Sequence, residues 1–432
     1  MQLKFTQKLK SLSQRQRRRF ATVCAAGFFN NYDGALLSLA LEQIQRGLKI
    51  SEAMLPRMAS LITLGCLFAP LITSQADRRG RRNLLLATIA LFSLLSGLTA
   101  FAWNAPSFVV LKFLTVTFSA AEGSIAMVML VEEVNADVRG LAVGLLGAIS
   151  AGGFGLAALG FALIRGFPFG WRGLFALAFI PLLLIVPLAR LLPESSRYES
   201  TAKAMGRRGF FDPFRMLYRS YPGRFTMVAA VMFLNAMGGT PGGLLQSKYM
   251  QEVHGWTPAN VSTLILTGGA IGILGNVVAG NLSDQMGRRL LGFITLIVAP
   301  VMWTVFFNSS GNIMVASWVL SLFAQTAAST ILNAYSAELF PTSHRSTAES
   351  AIAVAGTLGG SAGLVLESLI YGRVGNHWRA VSWLMLASVA AAITVAIFFP
   401  ETASAELDSI SPERSLLSRR HPSRRRPKSV AA

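Results

Sequence analysis

Two acidic side chains stand where membrane-spanning helices would bury them. Asp33 lies about 13 residues into an apolar run that begins near Phe20. At 1.5 Å per residue that is about 20 Å along a helix, beyond the middle of a bilayer. Asn30 precedes it by one turn on the same face, so the two can point together into a cavity. Glu122 falls midway along a later run, and Lys112 nearer that run's outer end. A charge at the centre of a membrane helix costs roughly 2.5–3.5 kcal/mol on insertion scales, so it usually has a use. A carboxyl buried there is costly to ionise, which would let Asp33 load and release a proton; the alternative is a structural carboxylate bonded to a neighbouring helix. A lysine in a cavity favours an anionic substrate, whereas Asp33 and Glu122 favour a cation or a proton. Lys112 either serves in that way or snorkels to the outer interface, and Glu367 carries the same ambiguity. Asn235, Gln246, Gln325, Asn333 and Tyr335 either orient a ligand or tie helices together.

These residues need helices to hold them. Hydrophobic residues make up 53% of the chain and charged residues 14%, against about 25% charged in a soluble domain. Apolar runs begin near Phe20, Met58, Asn83, Phe108, Gly140 and Arg172, then near Phe225, Ser262, Leu290, Ile313, Ala348 and Ala380. Each reaches the roughly 20 residues that cross ~30 Å of hydrocarbon; the ~10-residue alternation of a β-barrel is absent. The fold class is therefore an all-α polytopic membrane protein with twelve helices, six and six. The expected organisation is a basic tail over 1–19, a six-helix bundle over 20–192, a linker over 193–224, a second bundle over 225–399 and a basic tail over 400–432. The run from Phe20 to Ile44 is too long for a signal peptide and contains Asp33, so a retained first helix is expected.

The two bundles repeat one another. Ala76-Asp77-Arg78-Arg79-Gly80-Arg81-Arg82 returns as Ser283-Asp284-Gln285-Met286-Gly287-Arg288-Arg289, with 207 residues from Asp77 to Asp284. Trp171-Arg172 returns as Trp378-Arg379 and Pro193-Glu194-Ser195 as Pro400-Glu401-Thr402, at the same offset. Glu132 with Arg139 returns as Glu338 with Arg345, at 206. Each bundle thus sets acids and guanidiniums at one membrane face. Exposed pairs are worth only ~0–1 kcal/mol each, but several partly buried together can latch a conformation; the plain alternative is ordinary loop charge with satisfied helix ends. Runs five and eleven are both glycine-rich, which serves close packing or a moving interface between the bundles. A duplicated membrane bundle points to a transporter with its site at the seam.

The net charge of +19 sits mainly in the two tails and in the 193–224 stretch. That is the positive-inside bias, placing both termini and the central loop in the cytoplasm, with anionic-lipid contact as a secondary role. Nucleic-acid binding is not indicated. Cys24 and Cys66 form no metal-ligand spacing, and no cofactor or metal is called for. The four histidines fall in or near loops, so no histidine relay is expected across the bundle.

Over roughly residues 19–401 the chain resembles the major facilitator superfamily. Its signature loop, Gly-x-x-x-Asp-Arg-x-Gly-Arg-Arg, is matched by Gly280, Asp284, Gly287, Arg288 and Arg289, and by Asp77, Arg78, Gly80, Arg81 and Arg82 with Thr73 in the glycine's place. Glu132-x6-Arg139-Gly140, Pro193-Glu194-Ser195-Ser196-Arg197, Glu338-Leu339-Phe340-Pro341 with Arg345, and Pro400-Glu401-Thr402 resemble the sugar and organic-acid/proton symporter branch. The resemblance implies alternating access around a central cavity. It makes Asp77, Arg81, Glu132, Arg139, Glu194, Arg197, Asp284, Arg288, Glu338, Arg345 and Glu401 a cytoplasmic gate. It places Lys112 where many members have an arginine, although the glycines that follow in that pattern are replaced by Val116 and Ala120. Hexose porters carry Gln-Gln-x-Ser-Gly in helix 7, which here reads Phe233-Leu234-Asn235-Ala236-Met237-Gly238-Gly239; this points away from a hexose. Drug antiporters end helix 5 with Gly-Pro-x-x-Gly-Gly, and no proline stands there. The expectation is a monomeric proton symporter of an organic or aromatic acid in a bacterial cytoplasmic membrane, with Asp33, Asn30, Glu122, Lys112, Asn235, Gln325 and Asn333 as the substrate and proton site. An efflux antiporter is the alternative, and a non-transporting sensor a remote one. No Ser/His/Asp set or paired catalytic aspartates lies within a membrane helix, so an enzyme is not expected.

Overall fold

The computed structural model describes residues 13–75, 80–133, 136–167, 169–183, 185, 212–341 and 345–403. Every regular element among them is a helix. The spans are α1 (Gln14–Leu39), α2 (Met54–Thr73), α3 (Arg81–Thr99), α4 (Ala105–Glu133), α5 (Ala136–Ala162), α6 (Trp171–Leu183), α7 (Pro222–Glu252), α8 (Pro258–Met286), α9 (Arg288–Phe306), α10 (Gly311–Leu339), α11 (Arg345–Val374) and α12 (His377–Phe398). Ten of these, α2–α5 and α7–α12, are long and apolar enough to cross a membrane. In α1 the polar, arginine-bearing first turns lower the mean hydropathy, and α6 is described over a shorter stretch. Two short helices, Leu41–Leu48 and Asp212–Ser220, complete the set. The second lies inside the expected linker, with Leu217 and Tyr221 buried in the adjoining core.

Local chemistry sets the helix starts. Ser13 and Gln16 form a reciprocal capping box at α1. Thr257 accepts from the Asn260 N–H ahead of Pro258, and Asn376 accepts from the Arg379 N–H. Gly80 and Gly287, the matched glycines of the repeat, precede α3 and α9 with φ of 89° and 94°. Only glycine adopts that backbone without a steric penalty, so the duplicated string specifies the same turn twice.

Three apolar cores show how the elements are layered. One core runs through both halves of the chain and joins Tyr32, Leu36, Phe108, Phe161 and Trp171 to Leu245, Tyr249, Trp303, Phe306 and Trp318. These residues lie toward the end of the molecule where α1 finishes and α2 begins, here called the far side. At the opposite, near side the core divides. Val23, Leu85, Ile125 and Leu146 pack in one cluster, and Val228, Leu291, Ile331, Tyr335 and Phe399 in another. The two halves therefore share an interior on the far side and keep separate interiors on the near side.

The main helix contacts across the halves are α2 with α11, α5 with α8, and α1 and the short helix Leu41–Leu48 with α7. The glycines of α5 and α11 mostly serve packing within a half. A Cβ on Gly153 would collide with the Phe28 carbonyl oxygen of α1, and on Gly359 or Gly363 with the Phe233 and Met237 carbonyls of α7. Both helices do reach the seam, but each meets a different partner there, α8 for α5 and α2 for α11.

Candidate transport site

The face of α1 that carries Asn30 and Asp33 is laid against α4, and two separate polar clusters form along it. In the first, the Lys112 ammonium lies 2.7 Å from Asp33 Oδ2, and the Ser96 hydroxyl of α3 donates to Asp33 Oδ1. Both charged side chains are buried, 2% and 4% exposed, and Lys112 also sits 5.1 Å above the Phe175 ring. Lys112 therefore does not snorkel to an interface, because a carboxylate on the neighbouring helix satisfies it inside the bundle. Asp33 in turn faces an ammonium and a hydroxyl rather than an open cavity.

The second cluster lies one turn nearer the start of α1. Asn30 Nδ2 donates to Glu122 Oε2 at 2.8 Å and to the Ser119 carbonyl at 3.0 Å, while the Ser119 hydroxyl donates to Asn30 Oδ1 at 2.8 Å. Glu122 is fully buried and its Oε1 has no partner. A neutral amide is thus the hydrogen-bond partner of this carboxyl. Ionising it there would leave a buried charge without a counter-charge, which costs several kcal/mol.

In the second half the expected polar residues are more dispersed. Gln325 accepts from Trp303 Nε1 at 3.2 Å, and Gln246 accepts from Trp318 Nε1 at 2.7 Å. Asn235 is partly exposed, and its backbone carbonyl accepts from the Ser388 hydroxyl. Asn333 is exposed. Tyr335 is fully buried and donates to the Pro400 carbonyl, so it ties helices together.

On the far side the seam is polar and closed. Ser60 and Ser361 hydroxyls meet at 2.7 Å, the Arg57 Nε donates to Ser368 Oγ at 2.7 Å, and Ser368 Oγ donates to the Ala53 carbonyl. Ser247 donates to the Leu39 carbonyl, and Gln43 pairs with Gln251. Lys248, whose side chain is 2% exposed, reaches Gln45 at 2.8 Å and Glu52 at 3.1 Å. Burial alone would push the Glu52 carboxyl up, but hydrogen bonds from His377 and Gln45 and the Lys248 ammonium hold it down to about 2. His377 is buried between Glu52 and Glu367. Its place beside a loop gave no sign of this in the sequence.

At the near face the described gate residues, apart from Arg81, belong to the second half. Arg288 bridges Glu338 at 2.5 Å and Asp284 at 3.3 Å. Glu401 accepts from the backbone N–H groups of Arg288 at 2.7 Å and Arg289 at 3.1 Å, capping α9. Burial pushes this carboxyl up, yet the N–H bonds from Ala403, Arg288, Arg289 and Thr402 together hold it below the ordinary value. The Arg289 guanidinium donates to the Ala396 carbonyl. Arg345 opens α11 with its Nε buried, while Glu338 gives its carboxylate to Arg288. In the first half Arg81 opens α3. Asp77, Glu194 and Arg197, and the side chains of Glu132 and Arg139, lie outside the described residues.

Two pseudo-equivalent helical halves, sealed together on one side and carrying buried charges midway, define a membrane transporter. The chain belongs to the Major Facilitator Superfamily, whose family profile matches residues 23–240 and again 226–430. Among curated relatives, it is 29% identical over 293 residues to the 3-(3-hydroxy-phenyl)propionate transporter of Escherichia coli, covering 60% of this chain and 68% of that one. It is 23% identical over 401 residues to the 4-hydroxybenzoate transporter PcaK of Pseudomonas aeruginosa, covering 85% and 89%. Its fold matches the inward open conformation of the xylose transporter XylE from E. coli with a TM-score of 0.74 and 18% identity, over 90% of this chain and 98% of that one.

Proposed function

We propose that the protein is a proton-coupled symporter of a small aromatic or organic acid, working by alternating access, with the near face cytoplasmic. The observation that carries this reading is the asymmetry of the cores: one shared interior on the far side, two separate interiors on the near side. Such a molecule is closed to one compartment and split toward the other. The boundaries assigned to the moving bodies are 20–192 and 225–399, joined by 193–224. Positively charged loops on the near side support the orientation.

Within this reading Glu122 carries the transported proton. Its carboxyl is fully buried, bonded to the Asn30 amide and unpartnered at Oε1, so the protonated form is the one its surroundings accept. Asn30, partly exposed, relays the state of Glu122 to a substrate beside it. The Asp33–Lys112 pair behind it is net neutral and locks α1 to α4. Asn235 and Gln325 supply polar contacts from the second half, with Asn333 nearer the mouth. The clusters around Asp284, Arg288, Glu338, Arg345 and Glu401, and by the repeat Asp77, Arg81, Glu132, Arg139, Glu194 and Arg197, form the near-side gate. The relatives named for aromatic carboxylates support the substrate class.

The test is uptake of labelled 4-hydroxybenzoate and 3-hydroxyphenylpropionate into proteoliposomes under an imposed pH gradient, alkaline inside. Accumulation that collapses with a protonophore is expected. Uptake that only equilibrates and ignores the protonophore would contradict proton coupling.

A further inference from the structure

A proton count at the far-side seam leads to a second site. A neutral imidazole carries a single N–H, donating through one nitrogen and accepting through the other. His377 sets Nδ1 2.6 Å from Glu367 Oε1 and Nε2 3.1 Å from Glu52 Oε2. If both carboxylates were ionised and the ring neutral, one ring nitrogen would turn its lone pair on a carboxylate oxygen. The arrangement is satisfied only with one further proton, either on the ring or on a carboxyl that then donates to it.

The surroundings make that proton hard to do without. Glu367 is fully buried and its Oε2 has no partner, and among the described residues His377 is its ion-pair partner. Tyr371 of α11 lies flat on the imidazole at 3.9 Å between centroids. The other charges packed around the cluster have their own commitments. Lys248 of α7 serves Glu52 Oε1 and Glu252, Arg46 pairs with Glu42 on the short helix after α1, and the Arg57 Nε of α2 goes to Ser368.

We propose that Glu52, His377 and Glu367 form a proton-binding latch across the far-side seam, holding one proton when that side is closed and releasing it to the far-side medium when it opens. The geometry gives the reason. Glu52 belongs to the first half of the chain, His377 and Glu367 to the second. Opening withdraws Glu52, after which a neutral ring satisfies Glu367 through Nδ1–H alone and turns Nε2 to water. The closed state therefore binds the extra proton more tightly, and by linkage the proton favours the closed state by the same factor. Acid on the far side holds the seam shut and alkali loosens it. This proton never crosses the membrane, which separates the latch from Glu122. The low value of the Glu52 carboxyl, about 2, is in keeping with a carboxylate held by His377 and Lys248 from across the seam together with Gln45 of its own half.

The inference rests on alternating access, and its test separates the two. Nitroxides are placed on Ser51→Cys and Val374→Cys, both exposed far-side positions, in the full chain with Cys24 and Cys66 replaced by serine. Distances are read by double electron–electron resonance in nanodiscs from pH 5 to 8. One linked proton limits the slope to about tenfold in the closed-to-open ratio per pH unit, and the unsubstituted latch should approach it. Glu367→Gln supplies an amide that donates to Nδ1 while Nε2–H serves Glu52, so this variant should stay closed with no pH slope. Glu52→Gln is its mirror image and serves if the first variant does not insert. A flat ratio in the parent, or a parental slope in both glutamine variants, overturns the latch. Two distances that respond to 4-hydroxybenzoate but not to pH overturn the latch alone. A single distance under all conditions overturns the latch and alternating access together.

Discussion

Replacing Lys112 with methionine keeps the volume of the side chain and removes its charge. The structure then leaves the Asp33 carboxylate, 4% exposed at the side chain, with the Ser96 hydroxyl as its remaining partner. Breaking one side of a buried ion pair costs ~3–5 kcal/mol, because the survivor stays desolvated without compensation. At 1.36 kcal/mol per power of ten, that is roughly two to four orders of magnitude in the folded-to-unfolded ratio. The cation–π contact between Lys112 and Phe175 adds a smaller loss. Removing both charges is a different perturbation: in Asp33→Asn/Lys112→Met a neutral amide still accepts from Ser96, so most of the lost stability should return. The assay is unfolding in mixed micelles titrated with sodium dodecyl sulfate, comparing the two single variants, the double variant and the parent. A Lys112→Met variant within about 1 kcal/mol of the parent, or a double variant no more stable than Lys112→Met, would refute the buried-pair reasoning.

Three other predictions follow from named contacts. Ser60→Cys/Ser361→Cys, in a background without Cys24 and Cys66, should form a disulfide under mild oxidation because the two hydroxyls are 2.7 Å apart. Transport should stop and return with dithiothreitol; undiminished transport by the cross-linked protein would show that the far seam need not open. Gly153→Ala should destabilise by several kcal/mol or prevent insertion, since its Cβ meets the Phe28 carbonyl, whereas Gly356→Ala meets nothing within 4 Å and should be neutral or stabilising; equal effects would contradict the packing. Glu401→Gln should lower stability by about 1 kcal/mol at neutral pH through the weakened cap of α9. Because the folded protein holds this carboxyl below its ordinary 4.5, the parent's advantage is fully present above that pH. It is lost as pH falls through the folded-state value, so thermal-unfolding curves of parent and variant should converge in acid and separate at neutral pH.

Much of the fold was legible because hydropathy and repetition report depth and symmetry. The apolar runs located the spans, and the 207-residue offset anticipated the matched glycine turns at Gly80 and Gly287. What the linear pattern does not report is azimuth. Asp33 and Lys112 lie 79 residues apart, and nothing in either run says that their side chains turn toward each other; read singly, Asp33 is a proton carrier or a structural carboxylate, and Lys112 a cavity cation or a snorkelling lysine. Glu122 and Asn30 had the same problem, and their meeting depends on how α1 packs on α4. His377 was passed over for the converse reason. Standing beside a loop suggests exposure, but the end of α12 is covered by α11 and by the first half across the seam. Periodicity within one helix cannot see a partner that arrives from 325 residues away. The glycine pattern of helices 5 and 11 suits close packing or a moving interface between the bundles; the structure shows the close packing at Gly153, Gly359 and Gly363, while the seam itself pairs α2 with α11 and α5 with α8.

The most direct measurement uses proteoliposomes containing a pH-sensitive dye, with 4-hydroxybenzoate added outside to the parent and to Glu122→Gln. Lumenal acidification by the parent, absent from Glu122→Gln although that variant still exchanges labelled substrate across the membrane, is the predicted result. Equal acidification by both proteins would contradict a proton carried on Glu122.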